Sequence, residues 1–205
     1  MRNNERKIMN FLVNKIVCAI GCVAKDNNSK LNAKHIAFAA MALALAVATS
    51  MIKVIKLPMG GSVTLFSMLF IVLIGYWYGI KTGLTAALAY GVLQLLLDSY
   101  ILNIPQVLLD YILGFGALGL SGILSNSKHG LIKGYIVGVI GRFICSFLSG
   151  WIFFAIYTPE FFNSAILYSI VYNGSYIGLE AAVTLVVISL PPVNKALAYV
   201  KNNLV

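Results

Sequence analysis

The sequence predicts an all-α membrane protein: a bundle of six transmembrane helices with an additional N-terminal amphipathic helix. Three observations predict it. The 205 residues are 60% hydrophobic and only 10% charged, which is more apolar surface than a soluble domain of that size buries. Six separate apolar runs approach the roughly 20 residues that a helix needs to cross a bilayer, where only helices and closed barrels satisfy their own backbone. The basic residues are shared unevenly between alternate loops, as membrane sidedness requires. The formal net charge of +9 therefore reads as topology, and no nucleic-acid partner is expected. Cys18, Cys22 and Cys145 are odd in number and have no histidine cluster beside them. They suggest neither a disulfide framework nor a zinc site, and no metal or other cofactor is expected.

Three regions follow. Residues 1–34 form a basic arm. Ile8, Leu12, Ile16, Ala19 and Val23 share one helical face, with Lys7, Asn10 and Asn14 near the other, the pattern of a helix lying on a membrane surface. A signal segment is the rival reading, but Lys15 cuts its apolar core short. A seventh span is another. Cys22 follows Ala19-Ile20-Gly21, a weak match to a lipoprotein cleavage site. Residues 35–192 form the six-helix domain, and residues 193–205 a tail.

Span one, about 35–52, carries Ala40, Ala44 and Ala48 at every fourth position, with Ala42 and Ala46 in a second row. Small residues at this spacing let another helix approach closely. The partner helix is either within this bundle or on a separate protein, and the residues alone favour neither. Residues 53–62 contain Pro58, Gly60 and Gly61 and read as a loop able to act as a lid. Span two, about 63–79, ends in the aromatic belt Tyr76-Trp77-Tyr78, and Lys81 and Thr82 make the next turn. Span three covers about 83–97. Span four, about 106–124, carries Asp110. Span five, about 131–157, carries Arg142. Span six, about 164–190, carries Asn173 and Glu180 and is stopped by Pro191-Pro192.

Lys and Arg orient the bundle. Seven lie in residues 1–34, and Lys81, Lys128, Lys133, Lys195 and Lys201 fall on the same side. The opposite loops hold Lys53 and Lys56. Both termini are therefore expected in the cytoplasm of a multi-pass cell-membrane protein.

Asp110 is the central candidate. A carboxylate in a transmembrane segment is costly and by default marks a site. It either holds a ligand's cation or amino group, or makes a structural hydrogen bond. A neutral residue would do the structural job at lower cost, which favours the ligand. At 1.5 Å per residue, Asp110 and Tyr111, then Ser146, Gly150 and Phe154 on one face of span five, then Tyr168 and Asn173, converge at similar depth. They predict an outward-opening pocket with aromatic walls, suited to a small organic molecule. Arg142 and Glu180 stand at matching depth on consecutive helices, and an ion pair that sets register is expected of them.

Enzyme readings are poorly supported. Gly119-Leu120-Ser121-Gly122 matches the short GxSG pattern of intramembrane rhomboid proteases, but such a serine needs a nearby histidine. The two histidines are His35, at the start of span one, and His129, in the loop just after the motif. Packing of small residues is the better use of this stretch. No phosphate-binding GxxxxGK[ST] loop is present.

Taken together, Gly60-Gly61-Ser62-Val63-Thr64-Leu65-Phe66-Ser67-Met68-Leu69, Gly91-Val92-Leu93-Gln94, Leu109-Asp110-Tyr111 and Tyr172-Asn173-Gly174-Ser175-Tyr176 resemble the thiamine-specific substrate-binding (S) components of energy-coupling factor (ECF) transporters. The resemblance runs from about Ala37 to the end of span six. It implies a six-helix bundle of the S-component type, a vitamin site near the outer face and a lid after helix one. It implies thiamine or a close analogue as ligand. It also implies a complex with one transmembrane coupling subunit and two ATPase subunits, within membrane lipid. The alanine row of span one becomes the docking surface for the coupling subunit. By position, Asp110 stands where the family has an acidic thiamine contact, Tyr111 is a pocket aromatic, and Gly150 leaves room for the ligand. Tyr168 and Asn173 match a Tyr and an Asn five apart, the Asn bonding the pyrimidine ring. Two departures stand out. Ser146 replaces a pocket histidine, and Phe154 replaces a stacking tryptophan, with less area to stack. Trp151 would compensate only if span five were rotated. The departures leave open a related ligand such as a hydroxymethylpyrimidine precursor, or a different small vitamin on the same fold.

Overall fold

A computed structural model describes residues 33–160 and 162–203. The expected basic arm and surface helix lie outside the described residues, apart from the first residues of helix α1. The order is α1 (Ala33–Ser50), β1 (Lys53–Lys56), β2 (Ser62–Thr64), α2 (Ser67–Tyr78), α3 (Ile80–Leu97), α4 (Ile104–Leu124), α5 (Gly130–Phe153), α6 (Ala165–Ser189) and α7 (Pro191–Asn203).

Five of these helices, α1, α3, α4, α5 and α6, are long and apolar enough to cross a membrane. The second expected span is not one helix of crossing length. Its first residues pair as β2, and α2 has 12 residues, about 18 Å of rise. The reason is in its surroundings. Ile71, Val72 and Ile74 are fully buried, and Met68 and Leu73 nearly so, because α1, α3, α4 and α5 all pack around α2. A helix apolar on all sides is a core helix or a membrane span, and here protein rather than lipid surrounds it. Large apolar residues such as Ile140, Ile144, Ile170 and Val186 face outward, as lipid-facing residues do.

Residues 53–62, expected to be a loop, form most of a hairpin. β1 and β2 are antiparallel, with Ile55 opposite Val63, Lys56 opposite Ser62, and an irregularity between Lys53 and Ile55. The β-branched residues Val54, Ile55 and Val63 favour this state. Pro58–Gly60 forms a 3₁₀ turn at the tip, where Met59 is left-handed at φ 60°. The expected turn at Lys81 and Thr82 lies instead at Gly79, whose φ of +83° suits a residue without a side chain.

The Pro pair after α6 does more than stop it. Leu190 is extended, as a residue before proline prefers, and Pro191 then opens α7, where a missing N–H costs nothing. The tail is thus helical. It folds against the end of the bundle opposite the hairpin. The Trp77 indole donates to the Leu197 carbonyl at 3.3 Å. Lys201 donates to the Ser125 carbonyl and lies 4.3 Å from the Tyr76 ring centre. Burial lowers the Lys201 pKa from its ordinary value.

The expected ion pair between Arg142 and Glu180 is not formed. The Glu180 carboxylate instead accepts from the Thr64 N–H and hydroxyl at 3.0 and 2.7 Å, and from the Ser67 hydroxyl and Met68 N–H at 3.3 Å each. These are donors around the start of α2, where a helix has N–H groups to spare and favours negative charge. Arg142 sits 4.2 Å from the Phe115 ring centre, a cation–π arrangement. The ion pair that the described residues do make is Lys53 with Asp98.

Candidate functional site

The seven residues singled out as pocket candidates, Asp110, Tyr111, Ser146, Gly150, Phe154, Tyr168 and Asn173, all line one cavity at the hairpin end of the bundle. The space it encloses is about 960 Å³ with the open mouth and its solvent included. Gly60 and Gly61 of the hairpin line it too, and Pro58 stands just behind them.

The carboxylate is held by α4 and α5. Residues Leu108–Leu113 are wound as a π-helix, a wider turn that recurs at functional sites. Gly91 of α3 accommodates this bulge, because a side chain there would strike the Tyr111 carbonyl oxygen. Asp110 Oδ2 accepts from Gln106 Nε2 at 2.6 Å and from the Ser149 hydroxyl at 2.8 Å. Oδ1 makes no hydrogen bond among the described residues. One oxygen is therefore anchored, and the other is left on a cavity-lining side chain.

The walls are aromatic. Phe154, at the end of α5, lies 5.8 Å centre to centre from Tyr100. Tyr168, Tyr172 and Tyr176 form a stripe along α6, with 5.8 Å between successive rings. Trp151 stacks on Phe147 at 6.3 Å and is largely exposed, so it does not stand in for a cavity tryptophan. The floor carries Arg142, Phe115 and Tyr90.

Asn173 is 5% exposed and already well bonded. Its amide N–H groups donate to the Ser169 carbonyl and hydroxyl at 3.0 and 3.2 Å. Its Oδ1 accepts from the Tyr176 hydroxyl at 2.9 Å. A Cβ on Gly150 would lie 2.8 Å from Asn173 Nδ2 and would collide with the Ser169 hydroxyl. The small residue at 150 is thus required first by the packing of α5 on α6.

The hairpin tip is bonded to α6 at the rim of the cavity. Tyr172 donates its hydroxyl proton to the Pro58 carbonyl and accepts from the Gly61 N–H at 3.0 Å. A side chain at Gly61 would meet that hydroxyl at 2.6 Å. Lys53 pairs with Asp98 on the α3–α4 loop.

The sequence does not single out Gln106 or Tyr100 as site residues, it names Tyr172 and Tyr176 only within the motif Tyr172-Asn173-Gly174-Ser175-Tyr176, and it assigns Arg142 to an ion pair. Three of these carry a signal. Tyr168, Tyr172 and Tyr176 recur at four-residue spacing, and Gln106 stands one helical turn before Asp110. The alanine rows of α1 divide cleanly: Ala42 and Ala46 are buried, while Ala40, Ala44 and Ala48 face outward. Ser121 of the GxSG stretch is fully buried and donates to the Val72 carbonyl at 3.2 Å. A second groove, between the hairpin and α6, is lined by Val54, Ile55, Leu65, Leu179 and Val183, and its apolar lining offers little to orient a polar ligand.

Fold and cavity together define a class: a multi-pass helical membrane protein with a polar, aromatic-walled cavity at one end. A family model described as thiamine transporter protein (Thia_YuaJ) matches residues 36–199, and the chain belongs to that family. Its members are transporters, not enzymes. The thiamine transporter ThiT of Bacillus subtilis (strain 168) is 31% identical over 136 residues, covering 60% of this chain and 70% of that one. A solved structure of ThiT from Listeria monocytogenes superposes with a TM-score of 0.58 at 23% identity, covering 78% of this chain and 93% of that one. That likeness supports the fold, and the family expected from the sequence motifs is the family found.

Proposed function

We propose that this protein is the substrate-capture subunit of an ECF-type importer. It binds thiamine in the cavity beneath the hairpin, with the Asp110 carboxylate opposite the ligand's positive charge. The observation that carries this reading is Asp110 itself. Two donors hold one of its oxygens, no group among the described residues bonds the other, and the walls around it are aromatic. A cationic heteroaromatic ligand supplies both the missing charge partner and rings for Phe154, Tyr168 and Tyr172 to contact.

Tyr111, Ser146, Gly150 and Asn173 complete the proposed site, and the hairpin with Pro58, Gly60 and Gly61 is its lid. The outward row Ala40, Ala44 and Ala48 is smooth enough for a second membrane helix to approach closely. It is the proposed docking face for a transmembrane coupling subunit that carries two ATPase subunits. The excess of Lys and Arg in the arm and on the α7 side supports cytoplasmic termini and an outward-facing hairpin.

Calorimetric titration of the purified protein with thiamine tests the reading. Saturable submicromolar binding, not displaced by other vitamins, is the expected result. Binding of a hydroxymethylpyrimidine with thiamine itself inert would move the ligand to that precursor. No binding of either would remove thiamine from the reading.

A further inference from the structure

We infer that Gln106 is the positioning residue of this cavity, setting the Asp110 carboxylate for its ligand and tying it to the hairpin that closes above. The inference rests on the proposed role of Asp110. Gln106 is 1% exposed, and every hydrogen-bonding group of its amide is used. One N–H donates to Asp110 Oδ2 at 2.6 Å, and the Nε2 also donates to the Tyr100 carbonyl at 3.1 Å. The Oε1 accepts from the Leu102 N–H at 3.1 Å. One side chain therefore holds both the carboxylate and the loop between α3 and α4.

That loop is bonded in turn to α4 and to the hairpin. The Tyr111 hydroxyl accepts from the Tyr100 N–H at 2.8 Å and donates to the Asp98 carbonyl at 3.4 Å. Asp98 then pairs through its side chain with Lys53 of β1. A continuous path of polar contacts runs from Asp110 through Gln106, the Tyr100–Leu102 backbone and Asp98 to the hairpin. Ser149 shares the grip on Asp110 Oδ2 but, among the described residues, makes no hydrogen bond to the loop, so the two donors are separable by mutation. Because a buried amide with all its partners is rigid, the loop and the carboxylate move together. A ligand drawn to Oδ1 thus favours the loop position in which Asp98 meets Lys53. When the amide is removed, Asp110 and the closure become independent.

The test uses the full chain in detergent and thiamine as the probe. Gln106→Met keeps the volume and removes the amide. In the ligand-free protein it should raise amide exchange at residues 100–102 while leaving α5 and α6 protected. Ser149→Ala should not raise it. Dissociation of radiolabelled thiamine should quicken about ten- to a hundredfold in Gln106→Met, the scale set by hydrogen bonds to charged groups. Asp98→Asn should also quicken it, and the double variant should be no faster than Gln106→Met alone, because both changes break one path. Additive effects of the two substitutions, or wild-type exchange at residues 100–102 in Gln106→Met, would overturn the inference. Failure of the unmodified protein to bind thiamine would instead overturn the assigned ligand. The exchange measurement needs no ligand and still decides whether Gln106 holds the loop.

Discussion

Thr64 gives both its backbone N–H and its hydroxyl to one oxygen of Glu180, at 3.0 and 2.7 Å, across 116 residues of chain. With Ser67 and Met68 bonding the other oxygen, Glu180 fixes the root of the hairpin and the start of α2 to α6. Glu180→Ala leaves buried donors without an acceptor and should cost about 3 kcal/mol, read as a lowered thermal midpoint in detergent. A double-mutant cycle between Glu180→Gln and Arg142→Met should be additive within about 0.5 kcal/mol. Strong coupling would reinstate the ion pair.

Removing the charge at the cavity should weaken the ligand more than the fold. Asp110→Asn keeps the size of the side chain but places an amide against the Gln106 and Ser149 donors. Thiamine affinity should fall by about 1.5–3 kcal/mol, the range for hydrogen bonds to charged groups, with circular dichroism unchanged. Wild-type affinity in this variant would remove Asp110 from the site.

The hairpin tip should loosen when its tyrosine anchor is cut. Tyr172→Phe keeps the ring between Tyr168 and Tyr176 and removes the bonds to Pro58 and Gly61. Amide exchange at Gly61 should rise, and thiamine should dissociate faster. The thermal midpoint should shift little, since about 1 kcal/mol is the usual net worth of a neutral hydrogen bond. Unaltered exchange at Gly61 would show that the tip is held elsewhere.

One methyl group at the α5–α6 contact should disturb the site from behind. In Gly150→Ala the new Cβ collides with the Ser169 hydroxyl and crowds Asn173 Nδ2 at 2.8 Å. Overpacking of this kind costs about 1–3 kcal/mol, and here it falls on the side chain that orients Asn173. Calorimetry should show weaker thiamine binding. If binding holds while stability drops, Asn173 does not need its present position.

Much of the cavity's lining is readable in the chain, for a physical reason particular to membranes. An aspartate amid apolar residues is conspicuous because hydrocarbon penalises charge, so Asp110 marks the cavity from the sequence alone. Helical periodicity then aligned Ser146, Gly150 and Phe154 on one face of α5, and Tyr168 with Asn173 on α6. The same periodicity separated two alanine rows on α1, although it did not say which row packs inward. That depends on where α2 lies, and α2 is a neighbour only in the folded bundle.

Other features depend on contacts between distant segments, and a linear pattern does not carry them. Equal depth along two helices suggested that Arg142 and Glu180 pair. Depth says nothing of rotation about the helix axis, and rotation turns Glu180 toward Thr64 and Arg142 toward Phe115. A short apolar run reads alike whether lipid or protein surrounds it, so the shortness of α2 and its place at the buried centre of the bundle were not legible in the sequence. Pro58 and two glycines signalled a break, but pairing of Ile55 with Val63 is a cross-strand property. Composition and period thus determined the class of fold and the polar positions within it, and the motifs pointed to the family. Helix rotation, the paired hairpin and the hydrogen-bond path through Gln106 were settled by packing, because each needs partners that meet only once the chain has folded.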